Sequence, residues 1–317
     1  MWLLLLAVLA GLYLLRRWLR ERQQVPGLTD KFVLVTGCDS GFGQLLALRL
    51  DARGLRVLAA CLTEPGAARL RAAASPRLHT LLLDVTRSES VAAAAACVRE
   101  CVGDRGLWGL VNNAGISVPT GPNEWLRKED FAQVLDVNLL GLVDVTLAML
   151  PLVRHARGRI VNVASVMGRV AFVGGGYCPS KHGVEAFSDS LRLEMRHFGV
   201  KVSIIEPGYF NTAVTDSDIL ERNIRCAWGR LPEEARESYG EGFLHHFLKA
   251  VQDMKKSCSS NLSAVTDCME HALTSRHPRA RYSAGWDAKL FYLPLSYLPS
   301  AWADTVLSRS YPRPARP

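Results

Sequence analysis

Phe32-Val33-Leu34-Val35-Thr36-Gly37-Cys38-Asp39-Ser40-Gly41-Phe42-Gly43 is an apolar strand that runs through a glycine-bearing turn into a segment, Phe42 to Ala52, with helical spacing. The context carries more than the glycines do. A turn without Cβ atoms lets backbone approach a pyrophosphate, and the helix N-terminus behind it offers unpaired N–H groups and a favourable dipole. The glycine spacing, three residues and then one, departs from the G-x-G-x-x-G fingerprint, and glycines alone would also serve a plain tight turn.

The same rhythm continues along the chain. Arg56 to Cys61, Leu78 to Asp84, Gly109 to Asn112, Arg159 to Ala164 and Lys201 to Glu206 read as further strands, while Ser88 to Val102, Glu129 to Arg154 and Tyr177 to Phe198 have helical spacing. Near-continuous apolar strands separated by helices predict an α/β fold with a doubly wound parallel sheet buried on both faces. No repeat or Pro/Gly-rich linker divides residues 30–290, so one domain is expected there. The rhythm breaks after Pro207, and the polar helical stretch at 209–260 reads as a substrate lid.

Composition narrows the classes. The 317 residues are 49% hydrophobic and 21% charged, which excludes a disordered tail and supports a large core. Eight scattered cysteines form neither a zinc module nor a disulfide framework, and no metal site is expected. The net charge of +8 is not gathered into a Lys/Arg block interleaved with aromatics, so nucleic acid is not an expected partner.

Residues 1–22 form a distinct element. Met1 to Leu15 carries no charge, and Arg16, Arg17, Arg20 and Arg22 follow, opposed only by Glu21. A cleaved signal peptide would place its positive charge first and a small-residue cleavage site last, so the reading is a retained signal-anchor of marginal length. An interfacial helix or a packed terminal helix are the other readings. The positive-inside rule puts the domain behind the arginines in the cytosol. Asn261-Leu262-Ser263 is a glycosylation acceptor only if the domain is lumenal. At the other end, residues 291–317 are aromatic; Leu290 to Pro299 suits a membrane interface, a pocket rim or ordinary packing.

The candidate chemistry sits at strand ends. Tyr177 and Lys181, in Tyr177-Cys178-Pro179-Ser180-Lys181, are four apart and share a helix face. A nearby ammonium and an oxidised nicotinamide both favour phenolate, which makes Tyr177 a usable proton acceptor. Ser165 directly follows a strand at the carboxyl edge, where its hydroxyl can hold a reacting oxygen. Asn112-Asn113-Ala114-Gly115 ends another strand and can line a cofactor crevice, though by itself it reads as a turn. Asn138 lies in an apolar helix and must find partners, whether at a site or as helix glue. Asp84 can accept from an adenine amine or cap the helix near Ser88. Past the second strand, Leu62-Thr63 offers no arginine to a 2′-phosphate, and Asp39-Ser40 adds negative charge, so NAD is expected over NADP.

In this order, these residues resemble the short-chain dehydrogenase/reductase family over about Asp30 to Gly208. The loop Cys38 to Gly43, the segments Gly174 to Cys178 and Glu185 to Asp189, and the tail Arg281 to Lys289 extend the resemblance to its retinol and 3α-hydroxysteroid dehydrogenase branch. The resemblance implies a Rossmann sheet of seven parallel strands and a catalytic tetrad at Asn138, Ser165, Tyr177 and Lys181. It implies NAD held by Thr36, Gly37, Asp39, Ser40, Gly41, Phe42, Gly43, Asp84, Asn112, Ala114, Gly115, Tyr177, Lys181, Pro207, Gly208 and Thr212, with Asn138 holding a water that links Lys181 to solvent. The implied activity is oxidation of a lipophilic alcohol, a retinoid or a steroid, at the endoplasmic reticulum membrane. Homo-oligomers are common in the family. The rival readings are an NADPH-dependent carbonyl reductase and a non-catalytic, membrane-tethered dinucleotide sensor. The loop filling Cys38-Asp39-Ser40-Gly41-Phe42-Gly43 departs from the commoner small residues and isoleucine of the family.

Overall fold

A computed structural model describes residues 1–172 and 174–315; residues 316 and 317, the end of the aromatic segment, lie outside them. Among the described residues, seven strands form one sheet: β1 (Phe32–Thr36), β2 (Arg56–Cys61), β3 (His79–Leu82), β4 (Gly109–Asn112), β5 (Arg159–Val163), β6 (Lys201–Pro207) and β7 (Arg281–Ala284). Their spatial order is β3-β2-β1-β4-β5-β6-β7, with every neighbouring pair parallel. The chain winds one way from β1 to β3 and the other way from β4 to β7. Connections therefore leave in opposite directions at the carboxyl ends of β1 and β4, and a crevice opens there.

The period of two along each strand decides what each layer packs against. Val33 and Val35 face one cluster with Leu46 and Leu50 of α2 (Gly41–Ala52) and Met269 and Leu273 of a helix at Ser263–Thr274. Leu34 faces the other cluster, with Val91 and Val98 of Ser88–Val102 and Val145 and Met149 of Gly141–His155. In chain order the helices that precede β7 are α1 (Trp2–Glu21), α2, α3 (Glu64–Ala73), α4 (Ser88–Val102), α5 (Lys128–Leu135), α6 (Gly141–His155), α7 (Tyr177–Met195), α8 (Ser217–Gly229), α9 (Glu233–Tyr239), α10 (Glu241–Ser257) and α11 (Ser263–Thr274).

Several elements differ from the sequence reading. The helix expected over 129–154 is interrupted by a π-helical turn, Asp136–Leu140, centred on Asn138. The strand read through to Asp84 stops at Leu82, because Asp84 turns to accept from the backbone and hydroxyl of Thr86. Helices α3 and α11 and strand β7 are additional. In α3 the Thr63 hydroxyl caps the Gly66 N–H at 3.1 Å, and β7 has only four residues to carry a strand pattern. The run Lys128–His155 is long and apolar enough to cross a membrane, but Val134, Leu142, Val145, Met149 and Val153 are buried in the domain.

The segment read as a lid forms α8, α9 and α10. Their inner faces enclose a satellite core of Trp228, Phe243, Leu244 and Leu248 around Trp125, whose ring lies 5.0 Å from that of Trp228. Helix α1 leaves Leu9, Leu12, Tyr13, Leu15 and Leu19 exposed. Among the described residues, its end is tied down. Arg279 forms an ion pair with Glu21, His271 Nε2 lies 2.9 Å from the Glu21 carbonyl, and Val25 N–H donates to Thr274 at 2.8 Å. Since none of the buried clusters draws on a described residue of 1–19, removing this stretch should leave the domain folded, with Tm by circular dichroism within about 3 °C of the full chain.

Candidate active site

The crevice is a cavity of about 450 Å³ at the carboxyl edge of β1, β2, β4, β5 and β6. Gly37 adopts φ of 69°, and a Cβ there would stand 2.8 Å from Ala114 Cα, so the two strand ends touch backbone to backbone. Thr36 fastens the same junction: its hydroxyl accepts from the Asn113 and Ala114 N–H groups at 3.0 and 3.1 Å. Phe42 accounts for the unusual loop filling, because its ring meets Phe210 edge-on at 5.6 Å and braces the loop against the segment after β6.

Asp39 leaves the glycine loop and reaches the end of β2. Its carboxylate accepts from Leu62 N–H at 2.7 Å, Thr63 N–H at 3.0 Å and the Thr63 hydroxyl at 2.7 Å. The negative charge missing from β2 itself is thus supplied from β1, at the point where a dinucleotide fold reads the adenosine ribose. Asp84 also lines the cavity, its carboxyl held below the ordinary range by the Thr86 hydrogen bonds.

At the other end of the crevice, Ser165, Tyr177 and Lys181 line the same wall. Ser165 follows β5 in extended backbone; its hydroxyl accepts from Met167 N–H at 3.1 Å and hydrogen-bonds the Tyr177 side chain. Lys181 Nζ lies 5.7 Å from the centre of the Tyr177 ring and donates to the Val163 carbonyl at 2.9 Å. Burial pulls the Lys181 ammonium down to about 8, with the Glu185 carboxyl working against it. Burial pushes the Tyr177 phenol up to about 12, with the Ser165 hydrogen bond pulling back. In the protein alone desolvation therefore outweighs the pull expected from Lys181, and ionising Tyr177 calls for a further positive charge at the site.

Gly41, Ala114, Gly115, Pro207, Gly208 and Thr212 all line the cavity as expected. Thr36, Gly43, Asn112 and Asn138 do not; they act from behind it. Asn112 corrects the expectation of a cofactor contact. It points into the sheet, where its amide donates to Thr146 Oγ1 and Asn162 Oδ1, each at 2.8 Å, while its neighbour Asn113 faces the crevice. Asn138 spends its amide on protein partners, accepting from Ile116 N–H at 2.8 Å and donating to Ile116 O and Ser180 Oγ at 2.9 and 3.0 Å. It fixes the wall beyond Gly115. Leu62, Val85, Ile116, Phe210 and Val214 are among the further lining residues and were not singled out from sequence; an apolar wall residue looks like any other core residue.

A β1-to-α2 glycine turn, a carboxylate at the β2 end and a Ser-Tyr-Lys wall facing it define an oxidoreductase built around a nicotinamide dinucleotide. Comparison with known proteins agrees. Residues 31–223 match the short chain dehydrogenase family, and the chain belongs to that family. It is 63% identical to retinol dehydrogenase 7 of Rattus norvegicus and 62% identical to retinol dehydrogenase 16 of Homo sapiens, in each case over 100% of this chain and 99% of the relative. It is 60% identical to 17-beta-hydroxysteroid dehydrogenase type 6 of Homo sapiens over the same shares. Among solved structures it resembles a short-chain dehydrogenase from Streptomyces avermitilis, with a TM-score of 0.68, 25% identity, and coverage of 88% of this chain and 96% of that one.

The two kinds of site residue separate experimentally. Asn112→Ala should destabilise the domain by about 1–3 kcal/mol, seen in Tm, while changing dinucleotide affinity less than about twofold. Gly37→Ala should weaken dinucleotide binding at least about tenfold in a fluorescence titration, because the loop must leave Ala114.

Proposed function

We propose that the chain oxidises the hydroxyl of an apolar alcohol, a retinol or a 3α-hydroxysteroid such as androstanediol, by hydride transfer to NAD at a membrane surface. The observation that carries this reading is the wall of Ser165, Tyr177 and Lys181 facing the glycine-loop crevice in one cavity. Binding alone requires no half-buried tyrosine next to a buried lysine. The relatives' names, retinol dehydrogenase and 17-beta-hydroxysteroid dehydrogenase, support the two substrate classes.

The residues fit a dinucleotide. Gly37, Gly41 and the N-terminus of α2 form the pyrophosphate side, Asp39 and Thr63 the ribose side, and Pro207, Gly208 and Thr212 the nicotinamide side. Bound there, the oxidised nicotinamide supplies the hydride acceptor and a positive charge beside the phenol. Tyr177 Oη takes the proton of the substrate hydroxyl, Ser165 Oγ orients the same oxygen, and the Lys181 ammonium stabilises the developing phenolate. Asp39 favours NAD, since its carboxylate repels a 2′-phosphate and Leu62 and Thr63 bring no compensating cation.

Apolar surface around the entrance supports a lipophilic substrate. Phe172, Tyr209 and Tyr292 cluster with Tyr177, and beyond them Leu290, Tyr297 and Trp302 are exposed. The exposed face of α1 supports an anchor that holds this entrance near the bilayer from which a water-insoluble alcohol is drawn, with the endoplasmic reticulum as the membrane and the domain in the cytosol.

Initial rates on all-trans-retinol and androstanediol with matched cofactors should favour NAD over NADP by at least about tenfold. Tyr177→Phe should abolish turnover while leaving NAD binding within about threefold; surviving turnover would remove Tyr177 from the proton path. In sealed microsomes, protease should digest the domain; protection would place it in the lumen and make Asn261 available to glycosylation.

A further inference from the structure

Behind the Tyr177-Lys181 pair the fold buries a cluster of charges that the reaction as described leaves unused. Glu185, one helical turn beyond Lys181 on α7, and Glu206, directly before the Pro207-Gly208 turn, are 6% and 2% exposed. Arg281 of β7 bridges them. Its Nη2 donates to Glu185 Oε2 at 2.8 Å and to Asp189 Oδ2 at 2.7 Å, and its Nε stands 3.6 Å from Glu206 Oε1. Arg169, from the turn after Ser165, donates to the same Glu206 oxygen at 3.1 Å. Gly168 in that turn packs flush on α7, where a Cβ would stand 2.8 Å from the Lys181 carbonyl oxygen and 3.0 Å from Glu185 Cγ.

The charged groups facing Glu185 are therefore Lys181 and Asp189 from its own helix, Glu206 from β6, Arg281 from β7 and Arg169 from the turn after β5. Burial, and after it Glu206, pushes the Glu185 carboxyl up to about 7, against Arg281 and Arg169. Glu185 Oε1 has no hydrogen-bond partner among the described residues, so this carboxylate is held by one oxygen only. Among the described residues, it is also the charge that opposes the desolvation of Lys181.

We propose that Glu185 is a positioning residue for the dehydrogenation: its carboxylate keeps Lys181 in the ammonium form, and Glu206, Arg281 and Arg169 set how much negative charge Glu185 presents to it. The proposal rests on the reading of Tyr177 and Lys181 as the proton-transfer pair. The sign is fixed. Without the negative charge of Glu185, Lys181 loses its counter-charge and gives up its proton at a lower pH, so that near neutrality a neutral amine faces the phenol. The Tyr177 phenol then becomes harder to ionise, and oxidation slows.

The test is kcat against pH for the full-length, membrane-bound enzyme with saturating all-trans-retinol and NAD. Glu185→Gln should move the rising limb upward by about 0.5–1 pH unit, lowering kcat at pH 7 about three- to tenfold with recovery at higher pH and KM within about twofold. Glu206→Gln relieves the repulsion on Glu185 and should move the limb the other way, to lower pH. A purely structural role would lower kcat equally at every pH, and a Glu185→Gln profile parallel to the wild type overturns the proposal. If Glu185→Gln does not fold, Glu206→Gln decides: a limb moved to lower pH supports it, and one unmoved or moved upward overturns it. Inactive Tyr177→Phe with an unmoved Glu185→Gln profile defeats this inference alone, whereas active Tyr177→Phe defeats the proton-transfer reading beneath it.

Discussion

Backbone meets backbone where β1 and β4 end, and the rest of the site is arranged around that contact. With no side chain on Gly37, Ala114 comes close enough for Thr36 to bind both N–H groups of the Asn113-Ala114 turn. The contact draws the two oppositely wound halves of the sheet together at their carboxyl edge and leaves a crevice narrow enough to be lined from both sides. Gly115, the next residue, lies between Asn138 and Lys181: a Cβ on it would stand 3.2 Å from Asn138 Oδ1 and 3.6 Å from Lys181 Nζ. One steric allowance thus serves both ends of the crevice.

The chemistry depends on a balance that burial makes expensive. A lysine that is 5% exposed loses most of its hydration, and the tyrosine beside it is pushed the opposite way by the same desolvation. Surface charges could not repair this, because solvent screens them. The repair lies inside the fold, in carboxylates and guanidiniums brought together from α7, β6, β7 and the turn after β5. Such a cluster costs desolvation energy of its own, and its members are tied to one another by hydrogen bonds that recover much of it.

Much of this was legible in the sequence where the signal is local. Strands β1, β2 and β4 begin and end as their apolar runs do, and Tyr177 and Lys181 meet because a helix brings residues four apart together. Legibility failed where a face or a long-range partner decides. Asn112 and Asn113 are adjacent amides, and pairing of Asn112 with Asn162 in the register of β4 and β5 turns the first inward and the second to the crevice. Asp39 read as a loop carboxylate because nothing local says that it reaches Thr63. Arg281 is separated from Glu185 by 96 positions, and no periodicity links them.

Gly208 makes room for a carboxylate from far down the chain. The Asp287 side chain fills the space where a Cβ of Gly208 would lie, and it accepts the Tyr209 N–H at 2.7 Å. The turn that follows β6 is therefore finished by a residue synthesised some eighty positions after it. During translation the glycine loop, the crevice floor and the tyrosine can all leave the ribosome while this corner is still open. A premature stop codon shortly before position 287 would release a protein with nearly all of its sheet and an unsecured wall on the crevice.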